Sequence, residues 1–157
     1  MDALVSTEWL AAQLGASDLR VADASWFLPE HGRDAAAEFA AGHIPGAVFL
    51  DLDSFANKAS PLPSMLPSPE QLVSRMQALG LGDGVRIVIY DDSPLHTSAR
   101  AWWMLHAFGT PDVAILDGGH PVDRLRRDVD GLAWLQLTLR QRAVDVDLEE
   151  QDRKSVV

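Results

Sequence analysis

The hydrophobic positions of this chain alternate between short apolar runs of strand length and longer amphipathic stretches of helix length. The strongest run, residues 85–90, is almost entirely apolar, which is typical of a central strand covered on both faces. This alternation predicts an α/β fold, a mainly parallel central sheet flanked by helices on both faces. The predicted strands are 19–25, 47–50, 85–90 and 112–117, and the predicted helices are 7–14, 33–41, 68–79 and 97–108.

Polar residues and glycines mark the ends of these helices. Ser6 is a predicted cap for the first helix, and Gly15 is a predicted stop. The clearest helix start is 68–71, where a capping serine precedes proline and a glutamine follows three residues after the cap. Three prolines make residues 54–68 a predicted irregular segment.

The pattern changes after the last predicted strand. Gly118 and Gly119 predict a turn, and a final helix is expected to begin near Pro121. Residues 131–139 are apolar and 145–155 are highly charged, without a common period. We therefore expect a domain over 1–122, followed by a divergent segment over 123–157 that is part helix and part frayed tail.

Composition and charge narrow the function. The chain has 157 residues, 47% of them hydrophobic, which fits one domain with a real core. Residues 1–122 hold 15 acids and 6 bases, a net charge of −9, which argues against nucleic-acid and anionic-membrane partners. No apolar run approaches the ~20 residues of a membrane helix, and the first residues do not resemble a signal peptide, so a cytoplasmic location is expected.

The chain contains no cysteine, which excludes disulfides, cysteine-ligated metals and a cysteine nucleophile within these 157 residues. The five histidines form no pair with metal-binding spacing, so neither a metal nor another cofactor is expected. They are His31, His43, His96, His106 and His120.

The best candidate site is the loop that follows the strongest strand. Ligands of open parallel sheets bind beyond the carboxyl ends of the strands, and this loop leads directly into a helix N-terminus, which attracts anions. We interpret Asp91, with a contribution from Asp92, as a carboxylate that fills this anion cradle and caps the loop. The loop residues are Asp91, Asp92, Ser93, Pro94, Leu95 and His96.

Four other features carry weaker signals. Asp51 and Asp53 are either an acid–base pair or, as we favour, solvated acids at a strand end. Their side chains would point to opposite faces if the strand continued through them. His43 is expected to bond backbone in a turn. Arg100 either binds an anion or, as we favour, pairs with Asp91, Asp92 or Asp117. Trp102 and Trp103 have the spacing of core or interface residues rather than a ligand platform.

Seven ordered motifs resemble the rhodanese family, specifically the N-terminal half of tandem-domain thiosulfate and 3-mercaptopyruvate sulfurtransferases. The resemblance covers roughly residues 3–121. The motifs are Asp23-Ala24-Ser25-Trp26, Gly32-Arg33-Asp34-Ala35, Gly42-His43-Ile44-Pro45-Gly46-Ala47, Ser60-Pro61-Leu62-Pro63, Met65-Leu66-Pro67, Ala99-Arg100-Ala101-Trp102-Trp103-Met104 and Leu116-Asp117-Gly118-Gly119.

The resemblance implies a non-catalytic twin that packs on a catalytic domain and lines its cleft. In that family the catalytic twin carries a cysteine, which becomes a persulfide, in the loop matching 91–96, and an aspartate such as Asp91 is usual in the inactive twin. A supporting Asp and His of mercaptopyruvate-type members fall on Asp53 and Ser64, so the histidine is missing. The family's tryptophan after the Asp-Gly-Gly turn is replaced by Asp123, and the pattern is lost beyond it.

Three hypotheses follow. The chain is a rhodanese-like domain that is non-catalytic alone, with a structural or partner-binding role or as a truncated or frame-altered remnant. A tryptophan-rich face then favours self-association or a partner, and we expect a dimer or poor solubility. Alternatively, it is a sulfurtransferase subunit completed in trans by a catalytic rhodanese domain. The third hypothesis is a phosphoryl-transfer enzyme that uses Asp91, which acetyl phosphate would label.

Overall fold

A computed structural model describes residues 1–117 and shows a five-stranded sheet with five α-helices. A short 3-10 turn, Pro29–His31, follows β2. The strands are β1 (Leu4–Val5), β2 (Leu19–Asp23), β3 (Ala47–Phe49), β4 (Arg86–Tyr90) and β5 (Val113–Leu116). The helices are α1 (Thr7–Gln13), α2 (Ala35–Ala41), α3 (Leu52–Phe55), α4 (Pro69–Ala78) and α5 (Thr97–Ala107).

The sheet has the order β1-β5-β4-β2-β3, and its four strand pairings are all parallel. Alternate side chains of β4 enter different cores: Ile87 and Ile89 pack with α3, α4 and α5, whereas Val88 and Tyr90 pack with Leu10 of α1 on the other face. The α/β prediction with helices on both faces is confirmed, as is the central place of β4.

The connections place a topological switch point between β2 and β4. From β2 the chain moves outward to β3, whereas from β4 it moves in the opposite direction to β5. The loops that leave two adjacent strands in opposite directions open a crevice at the carboxyl edge of a parallel sheet. The loop over 91–96 therefore begins at the crevice where such folds bind ligands.

The predicted helix starts are largely confirmed. The Ser6 hydroxyl accepts from the Trp9 N–H at 3.2 Å, and Ser68 and Gln71 form the predicted capping box. The helix predicted from residue 33 begins only at Ala35, because Asp34 has extended backbone and its side chain caps the Ala37 N–H at 3.0 Å. The preceding Arg33 is thereby left outside the helix.

Two elements were missed. β1 is only two residues long and is stabilised by pairing with β5, a long-range contact that no local period signals. Helix α3 lies at the start of the segment predicted to be irregular, and the Asp51 side chain caps it by accepting from the Asp53 N–H at 3.1 Å. The predictions for 118–157, including the Gly118–Gly119 turn, the helix near Pro121 and the boundary at 122, lie outside the described residues.

Candidate functional site

The Asp91 carboxylate lies at the N-terminus of α5, directly after β4. Its Oδ2 accepts from the Ser98 backbone N–H at 3.0 Å, and its Oδ1 accepts from the Ser98 hydroxyl at 3.1 Å. The Thr97 hydroxyl lies 3.1 Å from Oδ2 and 2.7 Å from the Ala24 carbonyl oxygen, and its single proton serves one of them at a time. The loop thus holds its own anion at the helix N-terminus, in the capping arrangement that the sequence predicted for Asp91.

The segment that leaves β2 fastens this loop at consecutive positions. The Ser25 hydroxyl accepts from the Asp92 N–H at 3.0 Å, and the Ser93 hydroxyl donates to the Trp26 carbonyl oxygen at 2.6 Å. Within the loop, Ser93 also accepts from the Leu95 N–H at 3.2 Å. Ser93 is buried beneath the loop, whereas Leu95, two residues later, is exposed to solvent.

Asp92 pairs with a cation that the sequence analysis did not connect to it. Its carboxylate oxygen Oδ2 lies 2.7 Å from Nη2 of Arg33, which also forms a two-pronged ion pair with Glu38. The Arg33 guanidinium carbon stands 3.9 Å from the centroid of the Phe27 ring. The hydrogen bonds to Glu38 and then to Asp92 raise the pKa of Arg33, so this cation stays charged.

A buried acid and a buried phenol lie beneath the loop. Asp23 and Tyr90 are register partners at the ends of β2 and β4, and both residues are buried. Burial raises the pKa of Asp23, although the Ser25 N–H, which donates to it at 2.8 Å, opposes that shift. Burial also raises the pKa of Tyr90, whose hydroxyl accepts from the Ile44 N–H at 3.4 Å.

An apolar cleft of 290 Å³ opens beside the loop. It brings together Asp53, Ser64 and Arg100, the three residues singled out for a supporting role, and places them with Leu95 of the loop. Asp53 and Ser64 are exposed and Arg100 is half-buried, so these polar groups are accessible from solvent. The remaining wall is mostly apolar and consists of Trp26, Leu52, Phe55, Ala56, Met65, Thr97 and Met104.

Arg100 does not pair with Asp91, Asp92 or Asp117, and the favoured prediction for it was wrong. Its Nη2 donates to the backbone carbonyl oxygen of Ser64 at 2.5 Å. The prediction failed because it considered only charged partners near in sequence, whereas this acceptor is a neutral carbonyl 36 positions away. Arg33, the cation that does hold Asp92, drew no attention because 59 positions separate the two residues.

The other residues of interest have structural contacts. Nδ1 of His43 lies 2.8 Å from the Phe39 carbonyl oxygen, which confirms the predicted backbone contact. Asp51 lies beyond the strand end and caps α3 by accepting from the Asp53 N–H at 3.1 Å. Trp102 packs against the first core and donates its Nε1–H to Val113 O at 3.0 Å, whereas Trp103 is 47% exposed.

Within residues 1–117, no group of three or more acids and histidines is placed to hold a metal ion. In the same part of the chain, no helix has the length and apolar character needed to cross a bilayer.

An open parallel sheet with a helix N-terminus at its switch point defines a class of α/β domain built to hold an anion at that place. The rhodanese-like domain family matches residues 6–121. The chain belongs to the rhodanese family.

Its relatives include 3-mercaptopyruvate sulfurtransferases and thiosulfate sulfurtransferases. The human 3-mercaptopyruvate sulfurtransferase is 46% identical over 123 residues, and the match covers 74% of this chain and 41% of that protein. The Escherichia coli enzyme of the same name is 40% identical, and the match covers 73% of this chain and 41% of that enzyme. A thiosulfate/3-mercaptopyruvate sulfurtransferase of Arabidopsis thaliana, a mitochondrial protein, is 41% identical, with 75% and 31% covered.

Solved structures agree with these relatives. The crystal structure of SseA from Escherichia coli, a 3-mercaptopyruvate sulfotransferase with the rhodanese fold, matches with a TM-score of 0.73 and 38% identity, covering 82% of this chain and 48% of that one. Tum1 from Saccharomyces cerevisiae matches with a TM-score of 0.65 and 30% identity, and the match covers 72% of this chain and 38% of Tum1. The chain thus spans less than half the length of the relatives it matches.

Proposed function

We propose that this chain is a rhodanese-family module that is non-catalytic alone and binds a partner. The observation that carries the proposal is the Asp91 carboxylate, which occupies the helix N-terminus and accepts from the Ser98 N–H at 3.0 Å. Sulfur transfer in this family needs a nucleophile that can carry sulfane sulfur, and a carboxylate does not form a stable bond to it. The 157 residues also contain no cysteine.

A second candidate function is a sulfurtransferase subunit that is completed in trans by a catalytic rhodanese domain. The observation in its favour is the shared cleft, where Asp53, Ser64 and Arg100 lie beside Leu95. The relatives named for 3-mercaptopyruvate extend well beyond the part that this chain matches. A cleft that gathers these residues beside the loop is what such a subunit would present to its partner.

Ser64 limits what this cleft can contribute. A serine hydroxyl is not a base at neutral pH, whereas a histidine at this position could exchange a proton. We therefore infer that the chain contributes shape and contact area to a partner rather than a proton relay. Among the described residues that line the cleft, Asp53 carries the one acidic group.

The deciding experiment assays the purified chain for thiocyanate formation from thiosulfate and cyanide, and for sulfide release from 3-mercaptopyruvate with a thiol. Each assay is run alone and with the separately expressed C-terminal half of the Escherichia coli 3-mercaptopyruvate sulfurtransferase. If the chain has no activity by itself but stimulates the catalytic half, the result supports the sulfurtransferase-subunit hypothesis. If the chain has no activity by itself and does not stimulate the catalytic half, the partner-binding module remains as the proposal. Turnover by the chain alone would falsify both proposals.

The location of the chain remains an expectation. We propose the cytoplasm, although one relative is mitochondrial. Fractionation of cells that express a tagged chain tests this directly.

A further inference from the structure

The loop that enters the central strand places an aspartate directly before a glycine. It connects α4 to β4 and contains Gly82, Asp83 and Gly84, all of them exposed. It lies at the amino edge of the parallel sheet, opposite the carboxyl edge that holds Asp91. An exposed Asp-Gly pair is a place where a protein chain readily attacks its own aspartate side chain, because glycine has no side chain to shield its nitrogen.

The backbone of this loop is not fastened by hydrogen bonds. Among the hydrogen bonds of the described chain, none is donated by the N–H groups of residues 82–85. The groups on either side are bonded: the Leu81 N–H donates to Met76 O at 2.8 Å, and the Arg86 N–H donates to Asp18 O at 2.7 Å. The loop is therefore anchored at its two ends and has few restraints between them.

The nitrogen of Gly84 is also sterically accessible. Gly84 has φ 80°, and a Cβ added to it would meet no described atom within 4 Å apart from those of its chain neighbours. The loop lines a cavity of 420 Å³ between the C-terminal ends of α4 and α5. The Asp83 carboxylate makes no hydrogen bond or ion pair with the described residues. Its side chain thus has both the room and the freedom to turn toward the following nitrogen.

We propose that Asp83 and Gly84 form a self-modification site, at which the folded chain converts this aspartate to L-isoaspartate through a cyclic imide. The Gly84 nitrogen attacks Cγ of the protonated Asp83 carboxyl. A C–N bond forms, the nitrogen loses its proton, the Cγ–OH bond breaks and one water leaves. Water then adds to one imide carbonyl. Opening at the main-chain carbonyl leaves the chain running through Cγ, which is isoaspartate, whereas opening at Cγ restores aspartate.

The product adds one methylene to the main chain and carries a free α-carboxylate. Because the loop contributes no backbone N–H bond within the described chain, the fold should accept this longer connection without unfolding. The exposed carboxylate makes the modified chain a substrate for a methyltransferase that recognises isoaspartate. The site lies at the opposite edge of the sheet from Asp91, so isoaspartate formation and the proposed function succeed or fail separately.

The first test ages the full chain for several weeks in mildly acidic buffer, folded and in concentrated urea, and locates isoaspartate by peptide mapping with fragmentation that distinguishes the two isomers. Asp83 should react in the folded chain within about tenfold of its rate in urea, because local opening of such a loop costs little. A larger protection of Asp83 in the folded chain overturns the proposal. So does isoaspartate confined to the other Asp-Gly pairs, at 117–118 and 130–131.

The matched control is Asp83→Glu, which keeps the charge but would have to close a six-membered imide, a much slower reaction. Aged samples are incubated with a purified L-isoaspartyl methyltransferase and a labelled methyl donor. The unaltered chain should incorporate more label than Asp83→Glu, and equal incorporation by both overturns the assignment to Asp83. The modified chain should also keep the urea midpoint of the fresh chain. An isoaspartate form that is unfolded without urea contradicts the tolerance inferred for this loop.

Discussion

The Arg33 guanidinium and the Asp92 carboxylate meet at 2.7 Å across 59 positions of sequence, and they join the segment before α2 to the loop that follows the central strand. Arg33 also donates to the Asp92 carbonyl oxygen at 3.2 Å. One side chain thus holds both the backbone and the side chain of Asp92. Residues that follow β2, on the other side of the switch point, therefore help to hold the conformation of this loop.

Arg33→Ala should lower the free energy of unfolding by about 1 kcal/mol, the upper end for ion pairs that are partly exposed. The loss should shrink as salt is added, because screening weakens the pair in the unaltered chain. Urea unfolding at low and high salt measures both effects. Arg33→Lys is the matched control, since it keeps the charge but loses the two-pronged geometry. An alanine variant that is as stable as the unaltered chain at both salt concentrations contradicts a stabilising role for this ion pair.

Asp91→Ala should destabilise the fold by about 1–2 kcal/mol, because it removes the cap of α5 and leaves the Ser98 N–H and hydroxyl without their acceptor. Asp91→Asn should lose less, since the amide oxygen can still accept from the Ser98 N–H. Urea unfolding at neutral pH gives the difference. Asp34→Ala removes the exposed cap of α2 and serves as a comparison that should cost about 1 kcal/mol or less.

Asp91→Cys should carry a thiol whose pKa is lower than the ~8.5 of a free cysteine, because the helix N-terminus favours the thiolate. The rate of iodoacetamide alkylation against pH gives the value, and the absence of other cysteines makes the signal unambiguous. Ala78→Cys, exposed at the end of α4, is the control and should react with an ordinary or raised pKa. A thiol at position 91 that titrates like the control shows that the loop does not favour anions.

Asp23→Asn tests the buried carboxyl. Burial raises the pKa of Asp23, so the folded state holds this proton more tightly than the unfolded state does. The group's contribution to stability is therefore fully present below the unfolded pKa of about 3.9 and is lost as the pH rises through the folded value. Compared with the asparagine variant, the unaltered chain should gain stability as the pH falls through that window.

The difference between the two chains is the useful quantity, because other carboxylates cancel in it. Arg86 lowers the pKa of Asp18 and Arg33 lowers that of Glu38, so their contributions weaken in acid, but they do so in both chains. Unfolding in urea at several pH values between about 3 and 7 supplies the difference. A difference that stays constant over this range argues against a burial-raised pKa at Asp23.

The sequence predicted the layers of this fold because its strands and helices carry distinct periods. The run at 85–90 is apolar on both faces, and in the structure its alternate residues enter two separate cores. Local chemistry also located Asp91 at a helix N-terminus and His43 against the backbone. These predictions needed only near neighbours in the chain.

The failures at β1 and at Arg100 depended on distant partners, whereas the missed helix α3 and the later start of α2 follow from the local caps Asp51 and Asp34. β1 exists because β5 lies beside it, and Arg100 turns to Ser64 rather than to a nearby acid. The role of Arg33 is invisible locally for the same reason, although Arg33 lies in one of the motifs that carry the family resemblance. Composition and spacing therefore pointed to the candidate site, whereas its side-chain contacts could be assigned only from the fold.

The carboxylate at position 91 has one further consequence. An anion tethered by a short linker to its own binding site has an effective concentration of at least about millimolar. Sulfate, phosphate or thiosulfate from solution would need to displace this built-in ligand before reaching the N–H of Ser98. The cradle is therefore resistant to the small anions around it, and a partner that approaches the neighbouring cleft meets a carboxylate that the protein itself supplies at this place.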